Sequence, residues 1–222
     1  MNIFEVFFNW RVFQEALPGL LVGLRLTVAL GLSSILFSSL LGMAIALMRL
    51  YIPWPWRSVF VAFIDVMRAM PLLVMLILVY YALPFVGVTL SPFAAALWAI
   101  SLVGSAYAAE IFRAGIQAIP IGQFEAAQSL GLTSWQVMGE IVLPQAVKIV
   151  IPPLTNNAIA LIKDTALASV VAMPELLKQA TQEQALAANP TPLVGAALLY
   201  LLLLLPLVRL VVFFEQPSQK SK

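Results

Sequence analysis

The chain has 222 residues, 62% of them hydrophobic and 10% charged, with a net charge of +2. Soluble domains are roughly 45–50% apolar and about 25% charged, so this composition excludes a water-solvated globule and makes the bilayer the natural solvent; the small charge gives no argument for nucleic acid. There is no cysteine and no histidine, which removes disulfides, thiolate metal sites, the commonest metal ligand and the commonest general base.

The opening residues, Met1 to Glu5, carry no early basic cluster and no small-residue cleavage site follows, so no cleaved signal peptide is expected. Crossing the hydrocarbon core takes about 20 apolar residues. Five stretches qualify, at about 20–48, 59–85, 92–112, 146–166 and 193–214. All five are expected to be helices, because backbone groups in lipid must be satisfied within their own segment. The predicted fold class is all-α: one domain over 1–222, an integral membrane bundle of five transmembrane helices. In the first stretch Arg25 snorkels outward and leaves Leu26 to Leu47 as the core. Gly19 and Gly23 form a small-xxx-small pattern there, which permits close helix packing but is common in spans. Pro53 and Pro55 mark a short turn before the second stretch, with Trp54 and Trp56 as interfacial aromatics. Beyond the fourth, Glu175 to Leu186 reads as a short helix with Pro174 at its first turn.

Lysine and arginine set the orientation. With the N-terminus outside, the inner side receives Arg49, Arg57, Arg68, Arg113, Lys148, Arg209, Lys220 and Lys222. The outer side receives Arg11, Arg25, Lys178 and Lys163, so eight against four favours N-terminus out and C-terminus in the cytoplasm.

The inner loop at about 113–145 is an island of small and polar residues. Pro120 and Gly122 end the third helix, and Gln123–Leu130 reads as a short one. Gly131 follows, where a left-handed residue is wanted. Thr133 with Gln136 resembles a capping box opening a second short helix, which runs to about Leu143; Pro144 then suits the first turn of the next helix. Ala126 and Ala127 thin one side of the first helix, while Leu130, Leu132 and Trp135 offer apolar contact. From chemistry alone this is a docking element or an amphipathic loop on the membrane surface, though few cations hold it to anionic lipid.

The spacing of Glu125-Ala126-Ala127, three residues, Gly131, nine residues, then Ile141, Leu143 and Pro144 resembles the EAA loop of bacterial ABC-transporter permease subunits. Tyr107 to Ile116, Arg68 to Leu73 and Lys163 to Leu167 look like the polar-amino-acid branch of that family, and the likeness extends over about Gly19 to Phe214. The resemblance implies a type I importer subunit in a bacterial cytoplasmic (inner) membrane. Its implied partners are a second permease subunit, identical or paralogous, a cytosolic ABC ATPase dimer and an extracytoplasmic amino-acid-binding protein. Glu125, Ala126, Ala127, Gly131, Leu130 and Leu132 would then belong to a coupling helix seated in the ATPase. ATP and magnesium would be held by that partner, with no cofactor on this chain. The family pattern often has serine where Ala166 stands and a basic residue where Ile121 stands. The second departure removes one positive charge from the loop.

Ionisable residues in spans usually face a bundle interior or cavity. Asp65 with Arg68, and Glu110 with Arg113, sit at i,i+3 spacing and read as ion pairs fixing helix ends. In the fourth stretch Asn156 and Lys163 are seven apart, as are Asn157 and Asp164, so they make one polar stripe behind Pro152 and Pro153. The stripe is either interhelical glue or the lining of a substrate pathway, where a zwitterion needs both donors and acceptors. Rival functions are a membrane-embedded enzyme and a passive channel. Against the enzyme stand the missing His and Cys and the missing Gly-x-Ser-x-Gly elbow. A Ser-Lys or Asp-Asp arrangement stays open on composition, although Asp65 and Asp164 are expected near opposite membrane faces. With no Gly-x-x-x-x-Gly-Lys-Ser/Thr loop, the chain is not itself an ATPase.

Overall fold

A side-chain acceptor decides where the longest helix begins. In the computed structural model, which describes residues 3–215, the Asn9 side chain accepts from the Val12 N–H at 3.3 Å, an N-cap. A short α1 (Ile3–Phe7) precedes it, and α2 (Trp10–Tyr51) runs for 42 residues. At 1.5 Å per residue α2 is about 63 Å long, twice the hydrocarbon thickness, so it starts well before the apolar stretch expected from residue 20.

Pro71 decides the course of the second apolar stretch. One passage over 59–85 was expected. Instead α3 (Trp56–Ala69) and α4 (Leu72–Ile77, prolonged by a π turn to Ala82 and a 3₁₀ turn to Val86) meet at 102°. Met70, before the proline, is extended at φ −76°, ψ 124°, as the proline ring demands of its predecessor. A hydropathy window passes over this break because the apolar run is continuous.

Next come α5 (Pro92–Gln117), α6 (Ile121–Ser129), α7 (Ser134–Gln136), α8 (Leu143–Asp164), α9 (Leu176–Ala187) and α10 (Thr191–Glu215). The third helix thus passes its expected end at 112 and stops at Gln117. Pro120 stands two residues beyond the C-cap Ala118, where it also caps α6, whereas Gly122 lies inside α6 and has no part in ending α5. α7 is joined to α8 by a π turn, Val137–Val142, so the expected second short helix and the fourth span form one helical path. Both π turns end just before a Leu-Pro pair, Leu83-Pro84 and Leu143-Pro144. A proline lacks the N–H for the carbonyl four residues back and clashes with it, and the widened turn accommodates that. By length and composition four helical runs suffice to cross a membrane among the described residues, and the bent α3–α4 pair makes a fifth if counted as one span. Lys220 and Lys222 of the orientation count lie outside the described residues.

Small residues fix the packing. A Cβ on Gly42 would meet the Ala108 Cβ at 2.6 Å, and one on Gly104 would meet Ser38 and Leu161. Contacts in the order 38–104 and 42–108 make α2 and α5 parallel. The face of α5 turned to the bundle is alanine-rich, with Ala95, Ala96, Ala99, Ala106, Ala108 and Ala109 buried. Leu30, Leu76, Ile100 and Leu161 fill the core where α2, α4, α5 and α8 meet.

At the end where α5 begins, α9 lies across the bundle. Gly23 admits it: a Cβ there would touch the Leu176 Cα at 2.8 Å. Gly19 faces Glu183 of the same helix, so the small-xxx-small pair receives α9 rather than another span. Glu175, not Pro174, opens α9. Fully buried, its carboxylate accepts from the N–H groups of Leu177 (2.8 Å) and Lys178 (2.7 Å) and from the Tyr200 hydroxyl (3.0 Å). The Leu176 N–H donates to Thr27 on α2 at 3.1 Å. Burial raises the Glu175 carboxyl above the ordinary carboxylate value, although these donors and the Lys178 charge pull it down. Beyond α9, the Asn9 N–H donates to Thr191 at 3.1 Å and the Thr191 hydroxyl donates to the Val6 carbonyl at 3.3 Å.

Candidate functional site

At the opposite end, α6, α7 and the following π turn form a hairpin around its own small core of Ile119, Ala127, Val137, Val142 and Ala146. Gly131 makes the turn at φ +82° with open space around it, so glycine is required by backbone conformation and not by crowding. The Gly131 N–H donates to the Gln128 carbonyl at 2.9 Å and the Leu132 N–H to the Ala127 carbonyl at 3.2 Å. This is a Schellman motif, with its usual apolar contact between the residues at its two ends. The capping box is present: the Gln136 N–H donates to the Thr133 hydroxyl at 3.4 Å, and the Thr133 N–H to the Gln136 side-chain oxygen at 2.9 Å.

The hairpin divides the predicted coupling residues into two sets. Ala127 is 3% exposed and Leu132 half-buried, both inside the hairpin core. The small side chain of Ala127 lets α6 close on Val137 and does not thin the outer face. Glu125, Ala126, Leu130 and Gly131 face outward, with Leu130 at 82% and Trp135 at 85% exposure. With Ile121 of α6 at 75% exposure, three large apolar side chains are therefore left bare on an element with its own core.

The polar stripe also divides. A cavity of about 440 Å³ opens on the inner side of the α3–α4 bend, and Asn157 and Asp164 line it together with Arg68, Tyr107 and Pro71. Asn156 and Lys163, one residue earlier in each turn, are exposed outside it. One residue is about 100° of helix, so equal spacing does not make one face. Among the described residues no ion pair joins Asp65 to Arg68. Arg68 instead stacks 5.5 Å from the Tyr107 ring centroid, and the Tyr107 hydroxyl donates to the Arg68 carbonyl at 3.4 Å. Sequence reasoning assigned no cavity role to Arg68 and Tyr107. The signal was Met70-Pro71, which bends the chain just past Arg68.

The i,i+3 pair Glu110–Arg113 is formed, with Arg113 Nη2 at 2.6 Å and Nε at 3.0 Å from Glu110 Oε2. A second partner was not anticipated: Arg49, in the last turn of α2, donates to Glu110 Oε1. No group of three or more Asp and Glu is placed to hold a metal among the described residues.

Three comparisons bear on this architecture. A family model described as binding-protein-dependent transport system inner membrane component matches residues 38–218. The chain is similar over its whole length to a probable glutamine ABC transporter permease protein, GlnM, of Bacillus subtilis (strain 168), with 36% identity and 100% of each chain covered. The L-cystine transport system permease protein TcyB of the same organism is 40% identical over 78% of this chain and 74% of its own. Among solved structures, an amino acid ABC transporter crystallised with histidines superposes at a TM-score of 0.86, with 35% identity over 92% of this chain and 96% of that one. A methionine ABC transporter, MetNI, in an inward-facing conformation shares the fold at a TM-score of 0.72 and 21% identity, over 88% of this chain and 96% of that one.

Proposed function

We infer that this chain, which belongs to the binding-protein-dependent transport system inner membrane component family, is the membrane-spanning permease subunit of an ATP-binding cassette importer for a polar amino acid. Members of this family are transport components and not enzymes. In the proposed mechanism an extracytoplasmic binding protein delivers the amino acid to a pathway formed with a second permease subunit. Two partner ATPase subunits bind and hydrolyse ATP with magnesium and drive alternating access. The chain has five spans in the bacterial inner membrane, N-terminus outside, and the hairpin end is cytosolic.

One observation carries the coupling role: the hairpin has its own core yet leaves Leu130 and Trp135 bare. Glu125, Ala126, Leu130 and Gly131 form the face that enters the ATPase, while Ala127 and Leu132 hold that face in shape. For the pathway, Asp164 and Arg68 bring opposite charges to one cavity with the Asn157 amide and the Tyr107 hydroxyl, a set suited to a zwitterion. Exposed Asn156 and Lys163 cost too much against lipid and face a water-filled path shared with the second permease.

The test is purification with a candidate ATPase and binding protein, followed by ATP hydrolysis and vesicle uptake across the amino acids. Hydrolysis stimulated by one loaded binding protein, with matching uptake, is expected. Flux that ignores ATP, or a hairpin cysteine at Ser129 labelled from the outer face, overturns the reading. Uptake and selectivity unchanged in both Asn157→Ala and Asp164→Ala remove the cavity from it.

A further inference from the structure

Glu110 accepts from two guanidinium groups of different standing. Arg113 sits on the same helix, one turn away, and stays with Glu110 however the helices move. Arg49 comes from α2, and its bond to Glu110 is the one ion pair between different helices among the described residues. All three side chains are largely enclosed, with 17% to 26% of their surface exposed. Separating such a pair normally leaves a buried charge uncompensated. Here Arg113 keeps Glu110 paired, and Arg49 is two residues from the end of α2, close to water. The Arg49 Nε is buried without an acceptor. A buried donor left over is costly, so this bonding pattern does not saturate Arg49.

The position gives the pair mechanical meaning. Past Glu110, the last turns of α5 carry Gly115, packed on Val150 of α8, and then Ile116 against the hairpin core. The pair therefore joins α2 to the part of α5 that seats the hairpin. We propose that Arg49 and Glu110 form a releasable latch between α2 and α5, closed in this conformation and opened during the transport cycle, with Arg113 as the standby partner that makes opening inexpensive. Arg49, Glu110 and Arg113 are positioning residues, and the proposal rests on the importer reading above.

The assay is the complete transporter in vesicles, read as ATP hydrolysis with and without loaded binding protein, and as substrate moved per ATP. Glu110→Gln removes the latch. Hydrolysis without loaded binding protein rises at least about fivefold, the lower range of a coupling effect, and substrate moved per ATP falls. Arg113→Gln removes the standby partner, so opening strands Glu110. Stimulated hydrolysis and uptake both fall about fivefold or more while substrate per ATP holds. Opposite directions in the two variants are the signature. A merely structural cluster moves both the same way, and that result overturns the latch, as does an unchanged ratio in both. If Glu110→Gln does not assemble, Arg49→Gln replaces it, removing the charge that closes the latch while Arg113 keeps Glu110 paired; no rise in unstimulated hydrolysis there also overturns it. A wild-type complex without ATP-driven uptake sinks the importer reading instead.

Discussion

The two ends of the bundle handle the same problem, a short helix lying outside the main spans, in opposite ways. α9 is drawn into the chain: Leu176, Ala180 and Glu175 are buried, and its N-terminal end bonds to α2 and α10. The hairpin of α6 and α7 closes only on itself and on the adjoining helix ends, and leaves Leu130 and Trp135 bare. α9 turns most of its apolar surface into its own chain, with Leu186 the exception at 82% exposure. An element that is rigid yet apolar outside is unfinished until something covers it. On the proposed function, the contrast gives intramolecular closure to one end and partner contact to the other.

The two largest effects that test this contrast fall at α9 and at the hairpin. Glu175→Ala removes an N-cap acceptor and the carboxylate to which the Tyr200 hydroxyl donates, with an expected loss of about 2 kcal/mol from the two effects together, read as denaturant unfolding in detergent. An undiminished midpoint denies that α9 is locked down. At the hairpin, Gly131→Val forces a β-branched residue to φ +82° at about 2 kcal/mol. Faster amide exchange confined to 121–142, with weaker ATPase retention, is expected. Loss of structure throughout the bundle instead would mean the hairpin is not self-contained.

A smaller effect is pH-dependent. Burial raises the Glu175 carboxyl above 4.5, so the folded chain holds this proton more tightly than the unfolded one. The stability it adds is full below the ordinary value and declines as pH rises through the raised one. Glu175→Gln removes that part of the slope, and a slope unchanged in the variant assigns it to other groups. The smallest effect on the chain itself is at the bare face. Leu130→Ala with Trp135→Ala changes stability by less than about 0.5 kcal/mol but abolishes co-purification of the ATPase. Full retention of the ATPase places the contact elsewhere.

Local chemistry was the most legible part of the sequence. Gly131 and the Thr133–Gln136 box stand where spacing placed them, because turns and caps are decided within a few residues. Long apolar runs announced the spanning helices for the same reason. What stayed hidden depended on contacts between distant segments. Asn157 and Asp164 enter a cavity while Asn156 and Lys163 do not, and only the neighbouring helices decide that. Arg49 and Glu110 lie 61 residues apart, and nothing local pairs them. The bend at Pro71 was legible in one residue but obscured by averaging over an apolar window. Ala127 shows the converse hazard: a small residue in a docking motif suggests a groove, yet here its smallness serves the motif's own core.

The length of α2 has one more consequence. An uninterrupted run of 42 residues behaves as a strut, so displacement at Arg49 arrives at Trp10 with little loss. The chain has no native cysteine, so spin labels at Arg11 and Met48 go in cleanly and sit about 55 Å apart along the axis. That separation should hold constant through the turnover cycle while each label's distance to Ser129 changes. A separation that varies would reveal a hinge inside α2, with Pro18 as its natural pivot.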